Sequence, residues 1–183
     1  MTRIRSFPPI ENSAARTLIL GTMPGAASLR AAQYYAHPRN GYWTILAGVL
    51  GFDARLDYAA RSQCLVRAGI AVWDVLQSCE RAGSLDARIA PASIVANDFR
   101  GFFVRHPHIE RVCFNGASAE ALFRRHVVGT LVDATHLTYV RLPSTSPANA
   151  SISMSAKADA WRIGLAAHAT PAATQLPGES LRY

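Results

Sequence analysis

Four short apolar runs rich in β-branched residues, at 17–21, 70–75, 111–115 and 138–142, each stop at a small or polar residue or just after one. Between and after them lie stretches whose apolar residues recur at helical spacing, at 42–50, 59–68, 94–105, 118–127 and 154–166. Runs without polar alternation read as strands buried on both faces, and such strands need helices to cover them. The alternation predicts an α/β fold: three α/β/α layers around a four-stranded, mainly parallel central sheet. In that architecture ligands bind beyond the carboxyl ends of the strands. The residues expected there are the GTMPG turn (21–25), Asp74, the pair Asn115 and Gly116, and the stretch PSTSPANA (143–150).

With 183 residues, 50% of them hydrophobic, the chain is long enough to bury one core without staples. Residues 1–169 are expected to form one domain, and 170–183, rich in Pro, Gly and small residues, a surface tail. The N-terminal stretch lacks the apolar run of a signal peptide, and no stretch approaches the ~20 apolar residues that span a bilayer, so a soluble, membrane-free protein is expected. Cys64, Cys79 and Cys113 lie far apart with no CxxC pair. That excludes a disulfide framework or a cysteine-built metal site, fits a reducing cytoplasm, and leaves no metal or cofactor implied. A net charge of +7 points to a polyanionic partner. Nucleic acid is preferred to a membrane, because no strongly amphipathic basic helix is present. A monomer is expected.

Three segments carry chemistry. In GTMPG, Gly21 and Gly25 with Pro24 fix a tight turn whose backbone can approach a ligand closely, although an ordinary strand–loop turn has the same composition. The run YYAHPRNGYW (34–43) gathers aromatic faces, the carboxamide of Asn40 and the cation Arg39, suited to a stacked base and a phosphate. Tyr42 and Trp43 read equally as core residues opening a helix, with Asn40 as its cap. The run LPSTSPANA (142–150) is a stiff loop of hydroxyl and amide donors, fit for phosphate contacts and a minor-groove wedge or for local turns capping the last helix.

Taken together and in order, GTMPG, YYAHPRNGYW, GIAVWDVLQSCERAGSLDARI (69–89), Asn115-Gly116 and LPSTSPANA resemble the uracil-DNA glycosylase superfamily, specifically its hypoxanthine-DNA glycosylase family. The resemblance spans about residues 18–161. It implies a monofunctional DNA-repair enzyme that flips a deaminated base, chiefly hypoxanthine, out of DNA and hydrolyses its N-glycosidic bond. Many relatives carry a catalytic Asp or Asn in the loop after the first strand. Here that position is Met23, which cannot hold water strongly. The resemblance moves the catalytic role to Asn40, in the HPxN segment, as the residue that orients the attacking water. It gives base recognition to Asn115, whose amide offers one donor and one acceptor to a lactam edge, with Gly21, Met23, Gly25 and Tyr35 around the base. Contacts to DNA fall to Ser144, Ser146, Pro147, Asn149 and Arg39. A turn-forming Asn-Gly remains open for Asn115, Asp74 reads as a turn cap, and His37 as structural.

Lys157 is the only lysine among the nineteen basic residues. Glycosylases that also cut the backbone attack the sugar with an amine, so its scarcity favours water as the nucleophile. Uracil or xanthine as the main substrate, and a binding module of the same fold without catalysis, are the alternatives.

Overall fold

The four apolar runs form one sheet, and the chain around them builds a second. The structure, a computed structural model, describes residues 2–132 and 134–166. In chain order its elements are β1 (Thr2–Arg5), β2 (Thr17–Gly21), α1 (Ala26–Ala31), α2 (Tyr42–Leu50), α3 (Tyr58–Arg67), β3 (Ile70–Asp74), β4 (Leu76–Arg81), β5 (Val95–Ala96), α4 (Phe99–Arg105), β6 (Arg111–Asn115), α5 (Ala117–His126), β7 (Thr138–Leu142) and α6 (Met154–Ala166). Short 3-10 turns lie at Asp86–Arg88, Pro91–Ser93 and Val128–Thr130.

The main sheet has strand order β3-β2-β6-β7, and every pairing in it is parallel. Register aligns Gly21 with Asp74 and Asn115 with Leu142, so the strand ends form one edge. After β2 the chain adds β3 on one side and then crosses to place β6 on the other. The order reverses at β2, which opens a crevice between the ends of β2 and β6.

Leu18, Leu20, Val72, Val112 and Phe114 are all fully buried in this sheet, as two-sided coverage requires. Tyr42 and Leu46 of α2, Trp161 of α6, Phe99 and Phe102 of α4 and Phe123 of α5 close the layers over it. Trp161 meets Tyr42 edge-on at 5.8 Å, and its indole N–H donates to the Pro143 carbonyl at 2.9 Å. One buried ring thereby ties α2, α6 and the start of the 143–150 loop together. No helix among the described residues is long and apolar enough to cross a membrane.

Several expectations need correction. The run 70–75 divides at Asp74, because Val75 and Leu76 turn away and donate to the carbonyls of Gly21 and Thr22. They lead into β4, which with β1 and β5 makes a three-stranded antiparallel sheet that the apolar pattern did not announce. The helix expected over 94–105 begins only at Phe99. Asp98 caps it, accepting from the Gly101 N–H at 2.9 Å, while Val95 and Ala96 pair with β4. The six-residue helix α1 is too short to show a period. The expected tail, 170–183, lies outside the described residues.

Candidate active site

A cleft of about 590 Å³ opens at the carboxyl edge of the main sheet, at the strand-order reversal. Its walls come from the turn after β2, the loop before α2, the end of β3, the segment after β4, the end of β6 and the loop after β7.

The turn after β2 is held from below by a buried cation. Arg81, 4% exposed, sends its guanidinium to the carbonyls of Met23 and Pro24 at 3.4 and 2.5 Å, and its Nε to Gly83 at 3.0 Å. Three carbonyls thus share one fork of donors, which fixes the turn without any side chain of its own. Met23 is buried and lines the cleft, as do Gly21 and Gly25. At Gly21 a Cβ would collide with Asp74 Oδ1 and stand 2.9 Å from the Tyr35 hydroxyl, so only glycine fits. At Gly25 it would make ordinary contacts, and the tightness expected there is not a steric need.

Tyr35 adopts φ 55°, a left-handed conformation uncommon outside glycine, and its ring stacks on Tyr42 at 3.8 Å. This turns its phenol toward Gly21 and Asp74. The hydroxyl is buried beside the Asn115 amide, and burial, then the neighbouring Asp74, pushes its pKa far above the usual phenol range against the opposing pull of Asn115. Asp74 is 3% exposed and lines the cleft, with Oδ2 also lacking a partner. It caps no turn, contrary to the expectation from sequence. Burial foremost, then the charge of Asp86, raises its pKa to about 8, against the opposing pull of Arg81. Asp86 is raised too, mainly by burial, while the hydroxyls of Thr22 and Ser118 and the charge of Arg81 pull it back.

The two asparagines singled out by the sequence both line this cleft. Asn40 Oδ1 accepts from the Tyr42 N–H at 3.0 Å, which fixes which end of the amide is oxygen and anchors the start of α2. The helix cap itself is Gly41, one residue later than expected. Asn115 Nδ2 donates to Thr145 Oγ1 at 2.9 Å, and Asn115 Oδ1 accepts from the Thr145 N–H at 2.9 Å. The Thr145 carbonyl in turn accepts from the Gly41 N–H at 3.0 Å. Thr145, 1% exposed, therefore links the segments bearing the two amides.

Ser144, Ser146, Pro147 and Asn149 line the same cleft. Ser144 Oγ accepts from the Ser146 N–H, Ser146 Oγ from the Ala148 N–H, and Asn149 Nδ2 donates to the Ser144 carbonyl. Local turns thus engage Ser144, Ser146 and Asn149, the last also accepting at Oδ1 from the Ser151 hydroxyl at 3.3 Å, as the sequence allowed. Arg39 is exposed and stands outside the cleft lining; its guanidinium has no partner among the described residues. His37 lines the cleft, and its Nδ1 accepts from the Arg39 N–H at 3.1 Å. Lys157 is 3% exposed and donates to the Asn149 carbonyl at 2.6 Å, bracing the loop from inside the protein. Sequence reasoning gave Arg81 and Asp86 no role and counted Thr145 only among the hydroxyl donors of its loop. Only Arg81 carried a usable signal, as a cation inside a run that ends a strand.

Among the described residues no group of three or more His, Cys, Asp or Glu side chains gathers where it could hold a metal ion.

A parallel sheet with amides, a buried carboxyl and a glycine turn converging at its order reversal marks the ligand site of an α/β protein, lined for a polar ligand. Comparison with known proteins makes the class specific. The model of the uracil DNA glycosylase superfamily matches residues 8–164. A Methanosarcina acetivorans protein named hypoxanthine DNA glycosylase is 34% identical over 149 residues, covering 79% of this chain and 87% of the relative. Its namesake from Methanosarcina barkeri is 36% identical over 113 residues, 61% of this chain and 70% of the relative. A solution NMR structure of a candidate uracil DNA glycosylase from Methanosarcina acetivorans matches with a TM-score of 0.70 at 30% identity, covering 88% of this chain and 98% of that one. The chain belongs to the uracil DNA glycosylase superfamily.

Proposed function

We propose that this protein is a DNA glycosylase that removes hypoxanthine from deaminated DNA by hydrolysing the N-glycosidic bond, leaving an abasic site. The observation that carries the reading is the pair of amides, Asn40 and Asn115, on one cleft at the strand-order reversal. The similarity to two proteins named hypoxanthine DNA glycosylase supports the choice of base.

Asn40 holds the attacking water near the anomeric carbon with the lone pair that Tyr42 leaves free. An amide is a poor base, so its contribution is position. Asn115 reads the lactam edge of the flipped base with an amide whose donor and acceptor ends Thr145 fixes in place. Gly21, Met23, Gly25 and Tyr35 shape the base pocket. Ser144, Ser146, Pro147 and Asn149 hold the distorted strand, and Arg39 meets a phosphate beside the cleft. Water rather than an amine is the nucleophile, because Lys157 is buried against Asn149.

The test is excision from matched duplexes carrying inosine, uracil or xanthosine, with alkali used to reveal abasic products. Hypoxanthine should be released fastest, and the strand should stay intact without alkali. Preference for uracil or xanthine would reassign the base. A borohydride-trapped adduct would overturn the water-based mechanism.

A further inference from the structure

The cleft holds a carboxyl group that none of these roles uses. Asp74 stands at the end of β3, 3% exposed, and its Oδ2 is a buried oxygen without a partner. Unpartnered buried oxygens are costly, and this one belongs to a side chain that lines the cleft. The missing Cβ of Gly21 makes the room that Oδ1 occupies, and the Tyr35 hydroxyl borders the same space. The ionisable groups around Asp74 are Asp86, Arg81, Tyr34 and Tyr35. The guanidinium of Arg81 is turned to the carbonyls of Met23, Pro24 and Gly83 and lies 3.8 Å from Asp86. Asp74 therefore has no ion pair among the described residues, and a carboxyl in that setting keeps its proton near neutral pH.

Resting on the glycosylase reading above, we propose that Asp74 is the acid of the reaction, donating its carboxyl proton to an acceptor nitrogen of the departing purine. The C1′–N9 bond breaks with both electrons passing into the purine, which takes the proton and leaves neutral. Water then forms the new bond to C1′. Its surplus proton cannot stay on the amide of Asn40, and it restores the Asp74 carboxyl through solvent. One proton leaves the side chain and one returns. The arrangement supplies what Asn40 and Asn115 lack, since neither amide can deliver a proton.

The experiment is single-turnover release of hypoxanthine from an inosine duplex between pH 6 and 10 by the full chain, by Asp74→Asn and by Asp74→Glu. The wild-type rate should be level at low pH and fall about tenfold per pH unit above the point where Asp74 ionises. Asp74→Asn should be at least ~100-fold slower at pH 7, without that limb, while binding an abasic-site duplex as tightly as wild type. Asp74→Glu should keep a limb at a shifted pH. A wild-type rate level to pH 10, an Asp74→Asn rate within threefold of wild type (roughly the scatter left by an unimportant group), or a limb at unchanged pH in either variant would overturn the assignment. Should Asp74→Asn fail to fold, the wild-type and Asp74→Glu profiles decide alone. No release of any base by the wild type would instead overturn the glycosylase reading.

Discussion

Replacing Asp74 with Asn removes one titration from the folding equilibrium, and the structure gives its sign and size. In the native protein burial and the neighbouring Asp86 keep the carboxyl protonated to about pH 8, whereas its ordinary value is 3.8. Between those values the folded state binds one more proton than the unfolded state. A raised carboxyl therefore favours folding in full below pH 3.8, and that contribution is lost steadily as pH rises from there to about 8. The loss is about 1.4 kcal/mol per pH unit, or about 3 kcal/mol between pH 5 and pH 7. Asp86 also titrates upward, but it is present in both proteins, so the difference between wild type and Asp74→Asn isolates position 74. Urea unfolding followed by circular dichroism at pH 5, 6, 7 and 8 measures it. The wild type should lose ground to the variant steadily over that range. A stability difference constant to within about 0.5 kcal/mol, near the scatter of such extrapolations, would refute the claim that this carboxyl is neutral in the native protein.

Three further outcomes are expected. Asn40→Ala should lower single-turnover excision by ~10² or more with inosine-duplex binding retained, and should cost about 1 kcal/mol of stability through the lost bond to the Tyr42 N–H; quench kinetics and thermal melts read the two effects separately. Gly21→Ala should abolish excision and destabilise by about 1–3 kcal/mol, because its methyl group meets Asp74 and Tyr35; unchanged activity would show that the floor of the cleft is looser than the geometry says. Lys157→Met should loosen the 142–150 loop by removing its bond to the Asn149 carbonyl, seen as faster proteolysis there and weaker duplex affinity.

The main sheet was legible because its strands are short and largely apolar, β2, β3 and β6 being buried on both faces, and the strand bounds at 17–21, 111–115 and 138–142 match, although the edge strand β7 buries only Leu142 fully. The second sheet was not. Its strands mix Arg3, Arg5, Gln77 and Glu80 with apolar residues, and β5 is two residues long, so neither periodicity nor length marks them. At 94–105, apolar spacing compatible with a helix was overridden by Asp98, whose carboxylate caps a later start. Within the cleft, residues at strand ends and in loops of unusual composition were visible. Asp74 was seen but misread, because a carboxylate after a strand commonly caps a turn, and only the fold reveals that this one lines a cleft with one oxygen buried and unpartnered. Thr145 was hidden in a run of hydroxyl residues. Nothing local distinguishes it from Ser144 or Ser146, and its burial depends on β6 and α2 arriving from elsewhere in the chain.

That burial bears on specificity. A carboxamide that can rotate by half a turn presents either edge, so an asparagine alone distinguishes a lactam from an amidine poorly. At position 115 the rotation is blocked. The Thr145 N–H is a donor and nothing else, so it must face Oδ1, and Nδ2 is left to the Thr145 hydroxyl. The amide is thereby held with Nδ2 as its donor end and Oδ1 as its acceptor end at fixed positions, beside the Tyr35 hydroxyl. A lactam edge, with its carbonyl acceptor and ring N–H donor, matches that order, and adenine reverses it. The same residue accepts from the Gly41 N–H, next to Asn40. Thr145 thus couples the orientation of the amide proposed to read the base to the placement of the amide proposed to hold water. The pairing of selection and chemistry is built into the backbone of one loop residue, which offers a physical reason for the 142–150 loop to be stiff and braced by Lys157 from beneath.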